Sequence, residues 1–175
     1  MRRIVLAFAI PAMLASATAQ AQNAKPCVTA AEGEGLALYV MPDVVRSASQ
    51  SCRAYLPATA LLANPAPLIV KFRAESEAAW PAARAAFSKI AGDEVAPFLD
   101  GDMAKPMLSA MMGPMVASEI KPKDCPAINR MIELLQPLPA RNTAALFITI
   151  AQLAVTGDGK PANAKLPLCP FQAPR

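Results

Sequence analysis

Apolar residues recur at intervals of three and four along most of the chain, and prolines divide that pattern into short segments. The first segment opens with Thr29 and Glu32, spaced as a capping box, with Leu36, Tyr39 and Val40 following on one side. Gly33 and Gly35 weaken that helix by about 1 kcal/mol each relative to alanine. Pro42 suits the first turn of a second helix, with Val44, Val45, Ala48, Cys52 and Tyr55 as its inner face. Residues 56–67 hold three prolines and read as a connector with one helical turn at 59–63. The longest pattern follows: Ile69, Phe72, Ser76, Trp80, Ala83, Phe87 and Ile90. It keeps phase through Pro81, which predicts one kinked helix, ended by Gly92.

Residues 93–101 read as a loop with Phe98 and Leu99 turned inward. A further helix is expected over 104–120, broken or kinked near Gly113-Pro114. Asp124 is placed to cap the next, with Pro126 just inside it and Ile128, Met131, Ile132 and Leu135 at i, i+3, i+4 and i+7. After a Pro137-x-Pro139 turn, Asn142 is placed to cap a helix over 143–155. That segment is apolar on nearly all sides, which predicts the central helix of the bundle. Residues 68–70 and 146–150 also have the look of buried strands, but the alanines around the second favour a helix. The fold class expected is all-α: a small bundle of five to seven short Pro-delimited helices stapled by two disulfides.

The N-terminus changes the context of that bundle. Arg2 and Arg3 precede an apolar run from Ile4 to Leu14, and Ala19-Gln20-Ala21 has the small-x-small form of a cleavage site. Residues 1–21 therefore read as a cleavable signal peptide, and 22–175 as a single helical domain with an irregular tail from about 157. No later segment has the length and apolarity of a membrane anchor, so the mature chain is expected to be soluble and periplasmic or secreted. Four cysteines, Cys27, Cys52, Cys125 and Cys169, then read as two disulfides, and no C-x-x-C is present. Two helical hairpins, turning near Pro42 and Pro139, would bring Cys27 to Cys52 and Cys125 to Cys169 at their open ends. Lys and Arg total 17 against 13 Asp and Glu; without Arg2 and Arg3 the net charge is +2. The basic residues are scattered and aromatics are few, which argues against nucleic-acid binding.

There is no histidine, which excludes Ser-His-Asp and Cys-His catalysis, His-ligated zinc and a proximal-His haem. Met103, Met107, Met111 and Met115 stand four apart and would form a column of thioethers on a helix. Such a column fills an irregular core, offers an adaptable apolar groove, or binds Cu(I). Core filling is the plain reading; the groove is the functional one. Ser118-x-x-Lys121 resembles the serine–lysine pair of penicillin-binding enzymes, but the companion motifs are missing. Glu75-Ser76-Glu77 is similar to the Glu-Ser pair of lytic transglycosylases, without that family's downstream Gly-Leu-Met-Gln-like segment. Solvated carboxylates paired locally with Arg73 and Arg84 are the plain reading there. Asp93, Glu94, Asp100 and Asp102 form an acidic loop without the spacing of a calcium site. Thr149, Gln152 and Thr156 make a polar strip suited to a cavity wall or to bonding the preceding turn. No complete catalytic constellation emerges. The expectation is a non-catalytic binding or interaction module of the cell envelope, without cofactor or metal, whose partner is a protein or an apolar ligand. The alternative is a cell-wall hydrolase of muramidase type using Glu75 or Glu77.

Overall fold

The computed structural model describes residues 26–92, 94–101, 103–156 and 166–171. The segment read as a signal peptide lies outside the described residues, as do Asp93, Asp102 and most of the tail. Five α-helices run in order: α1 Ala30–Cys52, α2 Ala66–Ala91, α3 Ala104–Ala117, α4 Cys125–Leu135 and α5 Ala140–Thr156. Short 3-10 turns at Arg53–Tyr55, Ala96–Asp100 and Pro122–Asp124 join them. The architecture is the small all-α bundle with two disulfides that the pattern predicts.

The helix α1 begins at the capping box. The Glu32 backbone N–H donates to Thr29 Oγ1 at 3.3 Å, and the Thr29 N–H donates to Glu32 Oε2 at 2.8 Å. It does not stop at Pro42. That proline lies buried inside a single 23-residue helix, so the hairpin expected to turn there does not exist. An interior proline costs about 3 kcal/mol by removing one hydrogen bond and crowding the preceding turn. Burial of Leu36, Leu38, Tyr39 and Val40 before it, and of Val45, Ala48 and Cys52 after it, outweighs that cost.

The long helix overturns the expected disulfide pairing. Cys27 and Cys52 stand at opposite ends of α1, on the order of 35 Å apart at 1.5 Å per residue, far beyond the reach of a disulfide. The bonds are instead Cys27–Cys169 and Cys52–Cys125. The first ties the tail to the start of α1, where the Val28 N–H donates to Pro167 O at 2.7 Å and the Cys169 N–H to Val28 O at 2.9 Å. The second joins the end of α1 to the start of α4. They close loops of 142 and 73 residues, which in the chain-entropy account is worth about 4–5 kcal/mol each.

The central element is α1, not α5 as the apolar pattern suggested: α2, α3 and α5 all pack against it. Small residues on α1 permit this. A β-carbon at Gly35 would overlap that of Ala82 on α2 and lie 3.2 Å from the Ala79 carbonyl. Gly33 faces Ile148 of α5. On the α3 side the close approach comes from Gly113, where a β-carbon would sit 2.7 Å from Ser47 Oγ. The helix α3 is not broken at Gly113-Pro114; Pro114 lies inside it. Tyr39 and Trp80 meet between α1 and α2 with ring centroids 4.9 Å apart. The predicted phase through Pro81 is borne out as one helix, α2, which ends at Gly92 with φ 86°. Of the two loop residues expected inside, Leu99 is buried and Phe98 is exposed. The start of α5 lies at Ala140, directly after Pro139, rather than behind an Asn142 cap.

Lys89 on α2 closes over the first turn of α1. Its ammonium donates to Glu32 Oε2 at 2.7 Å and to Cys27 O at 3.0 Å. Burial raises the Glu32 carboxyl pKa, but the hydrogen bonds from Lys89 and Thr29 prevail and leave it below its ordinary 4.5. A depressed carboxyl pKa contributes stability that is present above 4.5 and is lost as the pH falls through the folded-state value. Comparing Glu32→Gln with the wild type by thermal melts should therefore show a gap that is constant near neutrality and shrinks as the pH drops below 4.5. A gap independent of pH would contradict the ion-pair account. The α1–α2 contact gives a second expectation. Gly35→Ala should lose about 1–3 kcal/mol in denaturant unfolding, whereas Gly101→Ala, with only an ordinary contact 3.7 Å from Phe98 O, should be close to neutral.

Candidate functional site

The helix α4 stands off from the three helices gathered on α1, and the space beneath it is a cavity of about 300 Å³. The floor comes from α1, with Met41, Val44, Val45 and Ala48. One wall is Leu68, Lys71 and Phe72 of α2; another is Thr143 and Phe147 of α5. Val116 and Ile120, at and beyond the end of α3, close one end. The roof is α4 itself, with Ile128, Met131, Ile132 and Leu135. These four are the i, i+3, i+4, i+7 face that the sequence predicts; all four line the cavity, and Ile128 and Ile132 also pack against the buried clusters of α1 and α2 at its edge.

Polar and covalent pins hold the roof in place. The Cys52–Cys125 bond fixes the first residue of α4. In its second turn, buried Asn129 accepts the Leu62 N–H on Oδ1 at 2.9 Å and donates from Nδ2 to Glu133 Oε1 at 2.7 Å. Just past its end, the Gln136 carbonyl accepts from Lys71 Nζ at 2.9 Å. Leu62, fully buried with Ala48, Cys52 and Cys125, anchors the connector under the same end.

The lining carries two polar side chains. The Thr143 hydroxyl is satisfied by donating to Pro139 O at 3.1 Å. Lys71 differs. Its ammonium lies 5.6 Å from the centroid of the buried Phe72 ring, and burial lowers its pKa below the ordinary lysine value. No carboxylate pairs with it among the described residues. Glu75, one turn along α2, would be the usual partner, but Arg141 of α5 holds it with Nε at 2.9 Å and Nη2 at 2.8 Å.

The chain matches no protein-family model, and no curated protein or solved structure matches it either. What it does has to be read from this geometry.

The residues singled out in the sequence lie elsewhere. Met103, Met107, Met111 and Met115 are 73, 58, 53 and 52% exposed, so the thioether column does not fill the core. It forms a ridge on the outer face of α3, opposite buried Ala104 and Leu108, and none of the four lines the cavity. The periodicity of α3 gave no clear facing, because methionines and other apolar residues occupy most of its positions and the inner ones are Ala104, Leu108 and Gly113. Glu77 pairs with Lys105 of α3 at 2.6 Å, and Glu75 with Arg141; neither pairs with Arg73 or Arg84. Arg84 pairs with Asp100 instead. Ser118 donates to Met115 O at 2.8 Å and α3 ends at Ala117, so Ser118 and Lys121 do not share a helix. In the polar strip, Gln152 is buried and its Nε2 donates to Cys169 O at 3.0 Å, tying the tail to α5. The Thr156 side chain lies outside the described residues.

Lys71 was missed by sequence reasoning. Its signal is a lone cation inside Leu68-Ile69-Val70-Lys71-Phe72, a segment otherwise apolar enough to be mistaken for a strand. The pinning of α4 is open to test. Asn129→Leu leaves the buried Leu62 N–H without an acceptor and should cost about 1–3 kcal/mol in denaturant unfolding. Asn129→Asp combined with Glu133→Gln retains an acceptor for the Leu62 N–H and a donor for position 129, and should cost less than the leucine.

Proposed function

We propose that the protein is an exported, non-catalytic binding module of the cell envelope, periplasmic or secreted, which takes an apolar ligand between α4 and the α1–α2–α5 core. The observation that carries this reading is the cavity. At about 300 Å³ it stands at the lower end of ordinary small-molecule sites, and its walls are apolar with a few polar groups, as in such sites. Val116 and Met131 on its edge are exposed, so the space opens to solvent and is accessible to a ligand. The compartment rests on the N-terminal leader pattern and on two disulfides, which fit an oxidising environment. Among the described residues no helix is long and apolar enough to cross a membrane.

A muramidase-type reading has no observation in its favour. Glu75 and Glu77 are engaged by Arg141 and Lys105, and neither lines the cavity.

The cavity reading is tested by filling it. Val116 lines the cavity yet is 37% exposed, so Val116→Trp can occupy the space without breaking the buried core. Titration with an environment-sensitive apolar dye should give saturable binding to the wild type, weakened at least tenfold in Val116→Trp at unchanged helicity by circular dichroism. Equal binding by both proteins would remove the cavity as the site.

A further inference from the structure

The strongest unabsorbed feature of the molecule is Lys71, whose stem lines the apolar cavity and whose ammonium reaches the exposed Gln136 carbonyl at the end of α4. Of the three Lys71 N–H donors, one is taken by Gln136 O, and no acceptor from the described residues meets the other two. No aspartate or glutamate lines the cavity. The carboxylate best placed along α2 to neutralise Lys71, Glu75, is held away by the Arg141 guanidinium. A cation beside an aromatic ring at the edge of an apolar cavity, with the neighbouring carboxylate engaged by another helix, is complementary to an anion brought in from outside.

We propose that the cavity binds a medium-chain amphipathic carboxylate, its alkyl chain among Val45, Phe72, Ile132 and Phe147 and its carboxylate on Lys71. This rests on the cavity reading above and adds the class of ligand. The chain length follows from the volume. At roughly 30 Å³ per methylene-sized group, about that of a water in the liquid, 300 Å³ accommodates about ten such groups. The charge follows from the count of cations on the wall. A neutral head would leave Lys71 unpaired, a cationic head would repel it, and a phosphate monoester carries nearly two charges at neutral pH against a single ammonium. A carboxylate carries one charge and two acceptor oxygens, which matches the two N–H donors left over. Arg141 is then a positioning residue: it does not touch the ligand but keeps Glu75 from Lys71.

The test is calorimetric titration of the full chain with decanoate, decanol, decyl phosphate and decyltrimethylammonium, each below its micelle concentration. The wild type should bind decanoate at least tenfold more tightly than the other three. Lys71→Met should remove that preference, weakening decanoate about tenfold or more and leaving decanol unchanged, and Lys71→Arg should restore much of it. Arg141→Met, which frees Glu75 for Lys71, should weaken decanoate and spare decanol. If Lys71→Met does not fold to wild-type helicity, Lys71→Gln replaces it. Equal binding of decanoate and decanol, both lost in Val116→Trp, would overturn the carboxylate assignment and leave the cavity reading intact. Tighter binding of decyl phosphate than of decanoate would also overturn the assignment. Binding of none of the four probes, or binding unaffected by Val116→Trp, would overturn the cavity reading itself.

Discussion

The Cys52–Cys125 bond is the constraint on which the arrangement of this protein depends. It joins the last residue of α1 to the first residue of α4 and is fully buried with Leu62 and Ala48. An 11-residue helix has little to hold it by itself, since isolated helices of that length are marginal in water. With the bond, the start of α4 is fixed at one end of α1, Asn129 fixes its second turn to the connector, and Gln136 fixes its end to Lys71. The cavity is therefore a consequence of where the roof is pinned.

Close approach on the other side of α1 makes this possible. Gly35 lets α2 come against α1 at the level of Ala79 and Ala82, Gly33 admits Ile148, and Gly113 brings α3 onto Asp43 and Ser47. These contacts give the bundle a dense centre that does not rely on α4. The same contacts explain why α5, the most uniformly apolar segment, is peripheral. It packs on α1 through Thr143, Ala144, Ile148 and Gln152, while Leu146, Ile150 and Leu153 on its other side remain exposed.

Local chemistry was legible in the sequence. The Thr29–Glu32 box, the passage of α2 through Pro81, the Gly92 stop and the inner face of α4 all follow from neighbours within one or two turns. What was not legible depended on distant partners. Pro42 reads as a helix start in isolation, and only the buried residues on both sides of it make the unbroken helix favourable. From that single difference comes the wrong disulfide pairing, since a hairpin at Pro42 would have brought Cys27 beside Cys52. The methionine column was recognised as a column, but with apolar residues at most positions of the helix the pattern does not say which face is inward. The cavity itself had no signature, because its lining is drawn from five segments and reads in each as ordinary core.

Lys71 shows how one such residue stands out once the fold is known. Consistency between local and global preferences is the general condition of a foldable sequence, and violations concentrate where something other than stability is served. Lys71 violates it twice. It runs its stem along an apolar wall to a charge at the exposed end, and it does so one turn from a carboxylate that is committed to another helix. Replacing it with an apolar residue of similar length would suit the wall better in purely structural terms, at the loss of one hydrogen bond to the Gln136 carbonyl. Nothing in the packing of α2 against α1 requires a lysine at this position, because Leu68, Phe72 and Ala79 carry that contact. On the proposed reading, the charge serves the head group of a ligand and the packing of the bundle is left to the residues around it.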